Sequence, residues 1–410
     1  MSTSFVIAGA GLAGLSVAEA LRAQGHEGPI TLIGVEPCLP YHRPPLSKGF
    51  LAGSVPRAQL DMRSPAALER KGIRLMTGLR AISIDRSAAR LVCADGSQLA
   101  YDGLALCTGA RVRPLQVPGA ELAGVFHLRT VQDAQAIQAA LETVQDIVII
   151  GGGFIGLEAC ASLRALGKRV TVLEASDRLM ARAVGPAVSE YFHQLHEARG
   201  AQVITGAVVS ELEGCAGRVR VVHTASGLRF KADLVLVGIG VLPNDEMASE
   251  AGLQTRTGIV VDDRGKTSDP AIFAAGDCTV RLTGDGSYRR LESIHNAVEQ
   301  GRAAGTALLG KPVPRAATPW FYSDQYDTKL QIVGVATGAE QTVIRQGSEA
   351  HRFAAFHFRR GELLAVESVN QPAEHMRLRK LFDRQTLPST EQASDPGFGL
   401  ETLLAEPVQT

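Results

Sequence analysis

The stretch GGGFIGLE, residues 151–158, decides the fold, because it follows the apolar run DIVII and repeats a pattern that already stands at the start of the chain as GAGLAG, residues 9–14. Each glycine run lies between an apolar strand and a helix with small and apolar residues on one face. A second strand that ends in an acidic residue follows in both places. The chain therefore contains two βαβ units, one internal duplication, of the kind that binds dinucleotides.

In the first unit, each glycine has a separate physical role. Gly9 permits the tight turn, Gly11 lets the backbone approach a pyrophosphate, and Gly14 allows the helix to pack closely on the strand. The helix N-terminus adds unpaired N–H groups and a favourable dipole. Glu36, 22 positions after Gly14, can accept hydrogen bonds from a ribose. These features predict an adenine dinucleotide site, with a purely structural turn as the alternative.

The second unit repeats this arrangement with Gly151, Gly153 and Gly156. Glu174 follows 18 residues after the last of these glycines. An acid at this place favours the ribose 2′-hydroxyl and repels a 2′-phosphate, so NADH is expected rather than NADPH. Arg178 and Arg182 lie nearby and could hold a phosphate, although we expect them to serve the pyrophosphate, the adenine side or the surface.

Two sites imply two different dinucleotides, one retained and one exchanged, and the natural pair is a flavin in the first unit and a nicotinamide in the second. The segment TSDPAIFAAGD favours this assignment, because a strand that ends at Gly276 and Asp277 can present a carboxylate to a ribitol hydroxyl. The alternative for Asp277 is a helix N-cap at the same place.

Bulk composition excludes several classes of partner. The 410 residues carry 42 basic and 42 acidic side chains, so no overall field attracts nucleic acid or a membrane surface. Runs of about 18 apolar residues, as a membrane span requires, do not occur. The N-terminus does not fit a signal peptide, and we expect a mature, cytoplasmic chain. The six scattered cysteines form no CxxC pair, which argues against a dithiol, iron–sulfur or zinc site and predicts small apolar fillers.

Changes of pattern along the chain predict three domains. Short alternating strands run from about Ile73 to Asp102, with a hairpin at ADGSQ, and the stretch RVRPLQVPG then marks a boundary. The second βαβ region stops at VLPND, and the segment with Asp277 returns to the first domain. From Thr318 the pattern is β-rich with a short helical tail. The predicted domains are residues 1–112 with 242–317 for FAD, 113–241 for NAD, and 318–410 as an α+β domain.

Taken together, GAGLAG, YHRPPLSK, LCTGA, GGGFIGLE, TSDPAIFAAGDC, LESIHNAVEQ and PWFYSDQ resemble the FAD-dependent, NADH-using ferredoxin reductases that serve bacterial oxygenases. The resemblance covers almost the whole chain. The glycine motifs alone indicate only the wider flavoprotein superfamily, and RPPLSK and WFYSDQ narrow it. The resemblance implies an α/β fold with two Rossmann-like domains of the glutathione reductase type and a C-terminal α+β domain.

The resemblance also implies roles for individual residues. It places Lys48 near the flavin ring and Glu158 opposite it, as the two catalytic residues. A lysine there favours the electron-rich reduced flavin, and the glutamate holds the lysine in place. The alternatives are an exposed loop lysine and an acid in the first helical turn. Further positions that match FAD contacts in the family are Ala13, Glu36, Arg43, Ala81, Arg129, Asp277 and Ile294. Arg129 could instead be a solvated surface charge.

Two departures from relatives bear on the electron acceptor. Relatives that reduce disulfides or peroxide carry a reactive cysteine where this chain has LSK, and Cys38 is too close to Glu36 to replace it. Electrons are therefore expected to leave the flavin directly. Tyr322 and Ile294 stand where some relatives have tryptophan, and an aliphatic residue at 294 resembles members that serve haem-thiolate cytochrome monooxygenases. A Rieske dioxygenase system is the alternative.

By resemblance, NADH passes a hydride to flavin N5, and the reduced flavin passes single electrons to two molecules of a [2Fe–2S] ferredoxin. Small ferredoxins are usually acidic, so a basic docking patch is expected, with Arg302, Lys311, Arg315 and Lys329 as candidates or simple surface charges. Other functions on the same scaffold are an NADH oxidase, a quinone reductase, or a redox sensor like apoptosis-inducing factor. No resident metal is expected, and the oligomeric state stays open between monomer and dimer.

Overall fold

The computed structural model describes residues 3–283 and 286–405. Its backbone contacts divide the chain into two compact units. The first unit comprises Met1–His42, Arg57–Arg111 and Val241–Ala317. The second unit comprises Arg43–Pro56, Val112–Gly240 and Thr318–Thr410. The segment Arg43–Pro56, assigned from sequence to the first domain, thus groups with the second unit, and the division into three domains stays a prediction.

A five-stranded parallel sheet forms the centre of the first unit. Its strands, in spatial order, are Ile272–Ala274, Gly103–Leu106, Phe5–Ala8, Ile30–Gly34 and Ile73–Thr77. The central strands are buried along their whole length, as parallel strands covered on both faces must be. Because Ile73–Thr77 belongs to this parallel sheet, the short alternating strands begin only with the next strand, Ala81–Asp85. The expectation that they begin at Ile73 was wrong.

Two helices of the first unit pack together at unusually short range. They span Leu12–Ala23 and Ile294–Leu308. A Cβ atom at Gly301 would lie 2.6 Å from the carbonyl oxygen of Ala13, and one at Gly305 would lie 2.7 Å from that of Val17. Side chains larger than hydrogen would therefore separate the helices.

Smaller elements complete the first unit. The expected hairpin at ADGSQ is confirmed, since Arg90–Cys93 and Gln98–Ala100 pair antiparallel around it. The remaining strands and helices are Ala81–Asp85, Ala110–Val112, Val241–Pro243, Ile259–Val261, Thr279–Leu282, Tyr288–Arg289, Pro65–Arg70 and Glu246–Glu250, with a 3₁₀ turn at Arg57–Leu60.

The second unit contains a similar parallel sheet. Its strands are, in spatial order, Gln202–Ile204, Arg169–Leu173, Asp146–Ile150, Leu234–Val237 and Val125–His127. Its helices are Val131–Leu141, Phe154–Ala165 and Pro186–Ala198, with a 3₁₀ turn at Pro44–Ser47. An antiparallel sheet of Val209–Cys215, Arg218–Thr224 and Arg229–Lys231 is attached. The two parallel sheets confirm the predicted duplication.

From Thr318 onward the second unit forms an antiparallel sheet followed by helices, as predicted. Its strands are, in spatial order, Trp320–Gln325, Thr328–Gly334, Glu362–Val369, Phe353–Arg359 and Gln341–Gln346. The helices are Pro372–Arg384, Thr390–Ser394 and Thr402–Ala405. The predicted α/β fold class with an α+β C-terminal part is confirmed. Among the described residues, no helix has both the length and the apolar character needed to cross a membrane.

Candidate functional site

The first glycine turn leaves open space at only one of its three glycines. Gly9 has a φ of +120°, and a Cβ there would lie 2.0 Å from the carbonyl oxygen of Cys107. At Gly14 a Cβ would lie 1.9 Å from the carbonyl oxygen of Gly9, whereas at Gly11 nothing lies within 4 Å. Folding thus requires glycine at the first and third positions. The middle position faces free space that the phosphate groups of a ligand can approach.

The second turn repeats this geometry. Gly151 has a φ of +111°, and a Cβ there would lie 2.5 Å from the carbonyl oxygen of Gly238. A Cβ at Gly156 would lie 2.2 Å from the carbonyl oxygen of Gly151, and again nothing lies within 4 Å of the middle glycine, Gly153. The two glycine motifs are therefore duplicated in backbone geometry as well as in sequence, and each forms a cradle with open space at its middle glycine.

Both cradles open onto an uncapped helix N-terminus. Gly11 and Gly153 are the N-cap residues of helices Leu12–Ala23 and Phe154–Ala165, and neither has a side chain to bond the first N–H groups. Such N–H groups and the helix dipole attract anions. The cradles therefore fit the pyrophosphate of a dinucleotide.

The predicted acids lie at the carboxyl ends of the parallel strands, as the glycine turns do. In the first unit, Glu36 follows the strand next to that of Gly9, and Tyr41 Oη donates to Glu36 Oε2 over 2.6 Å. In the second unit, Glu174 accepts from the Gly152 N–H at 2.6 Å and from the Ser176 N–H at 2.8 Å. Each carboxylate is thus oriented by the protein, and its oxygens keep lone pairs that can accept from a ribose.

Asp277 also follows a strand of the first sheet, Ile272–Ala274. The preceding residue, Gly276, has a φ of +88°, and a Cβ there would lie 3.0 Å from the Cβ of Ala13. Asp277 thus lies beside the first cradle. The alternative that it caps a helix was wrong, because the strand Thr279–Leu282 follows.

The other predicted residues of the first unit stand at element ends. Ala81 begins the strand Ala81–Asp85, and Ile294 begins a helix whose N-cap is Ser293. In the second unit, the Arg43 guanidinium donates to the carbonyl oxygen of Arg129 over 2.5 Å, so these two residues are neighbours.

The two arginines after Glu174 differ in their surroundings. Arg178 donates to the carbonyl oxygens of Val184 and Ala181 over 2.7 and 2.8 Å, and so closes the loop that leads to helix Pro186–Ala198. Arg182 lies near Gly240, where a Cβ would be 3.3 Å from its guanidinium. Arg178 therefore has a structural role, and Arg182 is the better candidate for a ligand.

Lys48 and Glu158 form an ion pair within the second unit, with 2.6 Å between Nζ and Oε2. The Glu158 side chain is 3% exposed and that of Lys48 21%. Glu158 is the fifth residue of its helix and is buried, and the Lys48 side chain is only partly exposed, so the alternatives of an exposed loop lysine and a first-turn acid were both wrong.

Two serines complete the surroundings of this carboxylate, and neither was predicted from sequence. Ser47 Oγ donates to Glu158 Oε2 and Ser323 Oγ donates to Glu158 Oε1, each over 2.6 Å. Ser47 lies in RPPLSK and Ser323 in WFYSDQ, the two motifs that narrowed the resemblance. Tyr322 is also close, because Lys48 Nζ lies 6.0 Å from the centre of its ring.

All six cysteines are free. Burial raises the pKa of the Cys107 and Cys278 thiols and raises that of Cys160 to about 12, so these three are unreactive at neutral pH. Cys38 is half-buried and Cys215 is exposed, so the expectation of apolar fillers was wrong for these two.

Known proteins resemble this chain over almost its whole length. The family described as pyridine nucleotide-disulphide oxidoreductase matches residues 3–301, and the reductase C-terminal family matches residues 320–404. Rhodocoxin reductase of Rhodococcus erythropolis is 42% identical over 98% of this chain and 94% of its own length.

Two solved structures are similar. The ferredoxin reductase for the CYP199A2 system from Rhodopseudomonas palustris has a TM-score of 0.94, 41% identity, and coverage of 98% of this chain and 99% of its own. The covalent putidaredoxin reductase–putidaredoxin complex has a TM-score of 0.95 and 37% identity, with 98% of both chains covered.

The fold, the two cradles and these matches define an FAD-binding, NAD(H)-dependent oxidoreductase. Within that class, the chain belongs to the family that includes the ferredoxin reductases of oxygenase systems.

Proposed function

We propose that this chain transfers electrons from NADH, one at a time, to a [2Fe–2S] ferredoxin that feeds a haem-thiolate cytochrome monooxygenase. The observation that carries the choice of oxygenase is Ile294, an aliphatic residue at the first position of its helix. The similarity to the solved reductase for the CYP199A2 system supports the same choice. A Rieske aromatic-ring dioxygenase system is the alternative.

The proposal assigns each candidate residue to one ligand. For FAD these are Gly9, Gly11, Ala13, Gly14, Glu36, Arg43, Lys48, Ala81, Arg129, Glu158, Asp277 and Ile294. For NADH they are Gly151, Gly153, Gly156, Glu174 and Arg182. Bound FAD supplies an acceptor for a hydride that can afterwards release electrons singly.

The chain's own residues bind and orient these groups. The cradles at Gly11 and Gly153 hold the two pyrophosphates on uncapped helix N-termini. Glu174 accepts from the ribose hydroxyls and disfavours a 2′-phosphate. The Lys48–Glu158 pair is the catalytic pair, in which Lys48 favours the reduced flavin and Glu158 fixes the position of Lys48.

The absence of a thiol relay supports direct electron transfer to the carrier. The segment RPPLSK, residues 43–48, contains no cysteine, and the buried thiols of Cys107, Cys160 and Cys278 are unreactive for the reasons given above. The lack of a reactive thiol in this segment disfavours oxygen reduction by an NADH oxidase. A quinone reductase and a redox sensor are further alternative functions.

Two finer points belong to the same proposal. The exposed cations Arg302, Lys311, Arg315 and Lys329 are the docking candidates, although Arg302 pairs with Glu299 and Lys311 donates to the carbonyl oxygen of Gln24. Cytoplasmic localisation is supported by the six free cysteines.

The test is NADH-driven reduction of cytochrome c by the purified holoenzyme, with and without added ferredoxins, one from a cytochrome system and one of Rieske type. We expect strong dependence on the cytochrome-type ferredoxin. Preference for the Rieske carrier would support the dioxygenase alternative. If the flavin is reduced quickly but neither ferredoxin raises turnover above the rate with oxygen alone, the oxidase or sensor functions replace the proposal.

A further inference from the structure

A row of buried polar side chains ends at Glu158 inside the second unit. Ser323 and Gln325 are two positions apart on the strand Trp320–Gln325, so their side chains point to the same face. Both are 0% exposed. Polar groups on a fully buried strand face require hydrogen-bond partners, since a lone buried donor or acceptor is costly.

The outer part of the row fixes the protonation of a histidine. His196 Nε2 lies 2.8 Å from Gln325 Oε1, which can only accept, so Nε2 must carry the proton. Burial lowers the pKa of His196 to about 4, so the ring is neutral at pH 7. Its other nitrogen, Nδ1, therefore accepts from Tyr326 Oη, 3.1 Å away.

The inner part of the row continues in the same direction. Gln325 Nε2 donates to Ser323 Oγ over 3.2 Å. The Ser323 hydroxyl then directs its own proton to Glu158 Oε1, over 2.6 Å. Every donor in the row thus points toward one carboxylate, and hydrogen bonds aligned in this way polarise one another.

We propose that Tyr326, His196, Gln325 and Ser323 act as positioning residues that orient the Glu158 carboxylate, keep its Oε2 against Lys48, and so set the reduction potential of the flavin. This inference rests on the proposed role of the Lys48–Glu158 pair. The row is not a path for protons, because the amide of Gln325 does not readily release one. Its effect is orientation, and Ser323 is the last link through which the others act.

The readout is the midpoint potential of the bound flavin, measured by spectroelectrochemical titration of the holoenzyme without NADH. The variants are Ser323→Ala, Gln325→Leu and the double variant, and Ser368→Ala removes an equally buried hydroxyl from the same sheet as a matched control. Both single variants should shift the potential to more negative values, because Lys48 is held less firmly. The control should leave it unchanged.

The double variant distinguishes a relay from independent packing effects. If Gln325 acts only through Ser323, the double variant shifts no further than Ser323→Ala alone, because coupled residues are non-additive. Additive shifts, or no shift in either single variant, would overturn the inference. Failure of the wild-type protein to bind FAD or to be reduced by NADH would instead contradict the proposed function.

Should Gln325→Leu fail to fold, Tyr326→Phe gives the same test at the outer end of the row. Phenylalanine keeps the ring beside the Arg199 guanidinium, 5.3 Å from its centre, and removes only the hydroxyl. We expect a smaller negative shift that disappears in combination with Ser323→Ala. A shift of equal size in both backgrounds would again overturn the inference.

Discussion

Lys48 and Glu158 are 110 positions apart in the sequence, yet 2.6 Å separates Lys48 Nζ from Glu158 Oε2. Replacing the lysine removes the only cation of this pair and leaves a carboxylate that is 3% exposed. Two serine hydroxyls still donate to that carboxylate. These hydroxyls therefore partly compensate the buried negative charge of Glu158 when the lysine is absent.

We expect Lys48→Met to destabilise the protein by about 2 kcal/mol, less than the roughly 3–5 kcal/mol typical when one partner of a fully buried pair is removed. Reduction of the flavin by NADH should become slower, because the cation that we propose to lie beside the flavin is lost. Chemical denaturation and stopped-flow absorbance measure the two effects. Lys168→Met, which removes another partly buried lysine of the same unit, is the control, and an equal loss of reduction rate there would contradict the assignment.

Gly11 and Gly14 predict opposite consequences of the same substitution. Gly14→Ala places a Cβ 1.9 Å from a backbone oxygen, so we expect a loss of at least about 3 kcal/mol of stability. In Gly11→Ala the new Cβ meets nothing within 4 Å, and residue 11 has a φ of −83°. The free energy of unfolding should therefore change by less than about 0.5 kcal/mol.

FAD affinity should nevertheless fall about tenfold or more in Gly11→Ala, because the methyl group enters the space that a pyrophosphate would occupy. Thermal unfolding of the flavin-free protein and FAD titration by fluorescence check both expectations. Equal unfolding temperatures for the two variants would contradict the geometry of the cradle. Gly153→Ala and Gly156→Ala provide the same comparison for NADH.

Glu174 should control the choice between NADH and NADPH. Glu174→Gln removes the charge while its amide oxygen can still accept from the Gly152 N–H. We expect kcat/KM for NADH to fall about tenfold, as for the loss of a charge-assisted hydrogen bond of roughly 1.5 kcal/mol, and the discrimination against NADPH to weaken. Steady-state kinetics with both nucleotides measure this, and an unchanged ratio of the two kcat/KM values would refute the role.

Asp146 should make the stability of the protein depend on acid pH. Hydrogen bonding to Arg169, with a further contribution from Lys231, lowers the pKa of Asp146 to about 2 from an ordinary value of 3.8. A depressed carboxyl pKa stabilises the folded state above the unfolded-state value, and this contribution disappears as pH falls from about 4 to about 2.

Asp146→Asn lacks this contribution, so the variant should be less stable than wild type at pH 7 and the difference should narrow toward pH 2. Urea denaturation at a series of pH values measures it. Both partners are more than half exposed, so the effect should also shrink at high salt. A stability difference that stays constant from pH 7 to pH 2 would refute this account.

Sequence predicted best those features that depend on local backbone geometry. The glycine turns, the uncapped helices and the acids at strand ends follow from neighbouring residues, and all were found. The Glu158 surroundings could be predicted only in part, because Ser323 lies 165 positions from Glu158 and its contact depends on tertiary packing. The period of two in WFYSDQ did contain a signal, since it places two polar residues on one strand face.

Other features had no local signal. The close contact between two helices depends on Gly301 and Gly305, which resemble ordinary small residues within a helical pattern. The grouping of Arg43–Pro56 with the second unit is likewise a matter of long-range contacts. The alternative of an N-cap at Asp277 was wrong, and the sequence could not exclude it because an acid after a strand has the same appearance before a helix and before another strand.

The grouping of Arg43–Pro56 with the second unit limits how this family can recombine. A crossover between two relatives near residue 112 would join Glu36 and the first glycine turn of one parent to the second glycine turn of the other. It would also take Lys48 and Ser47 from a different parent than Glu158 and Ser323. Chimeras that exchange residues 43–56 together with residues 112–240 and 318–410 should retain activity more often than those made by a single crossover.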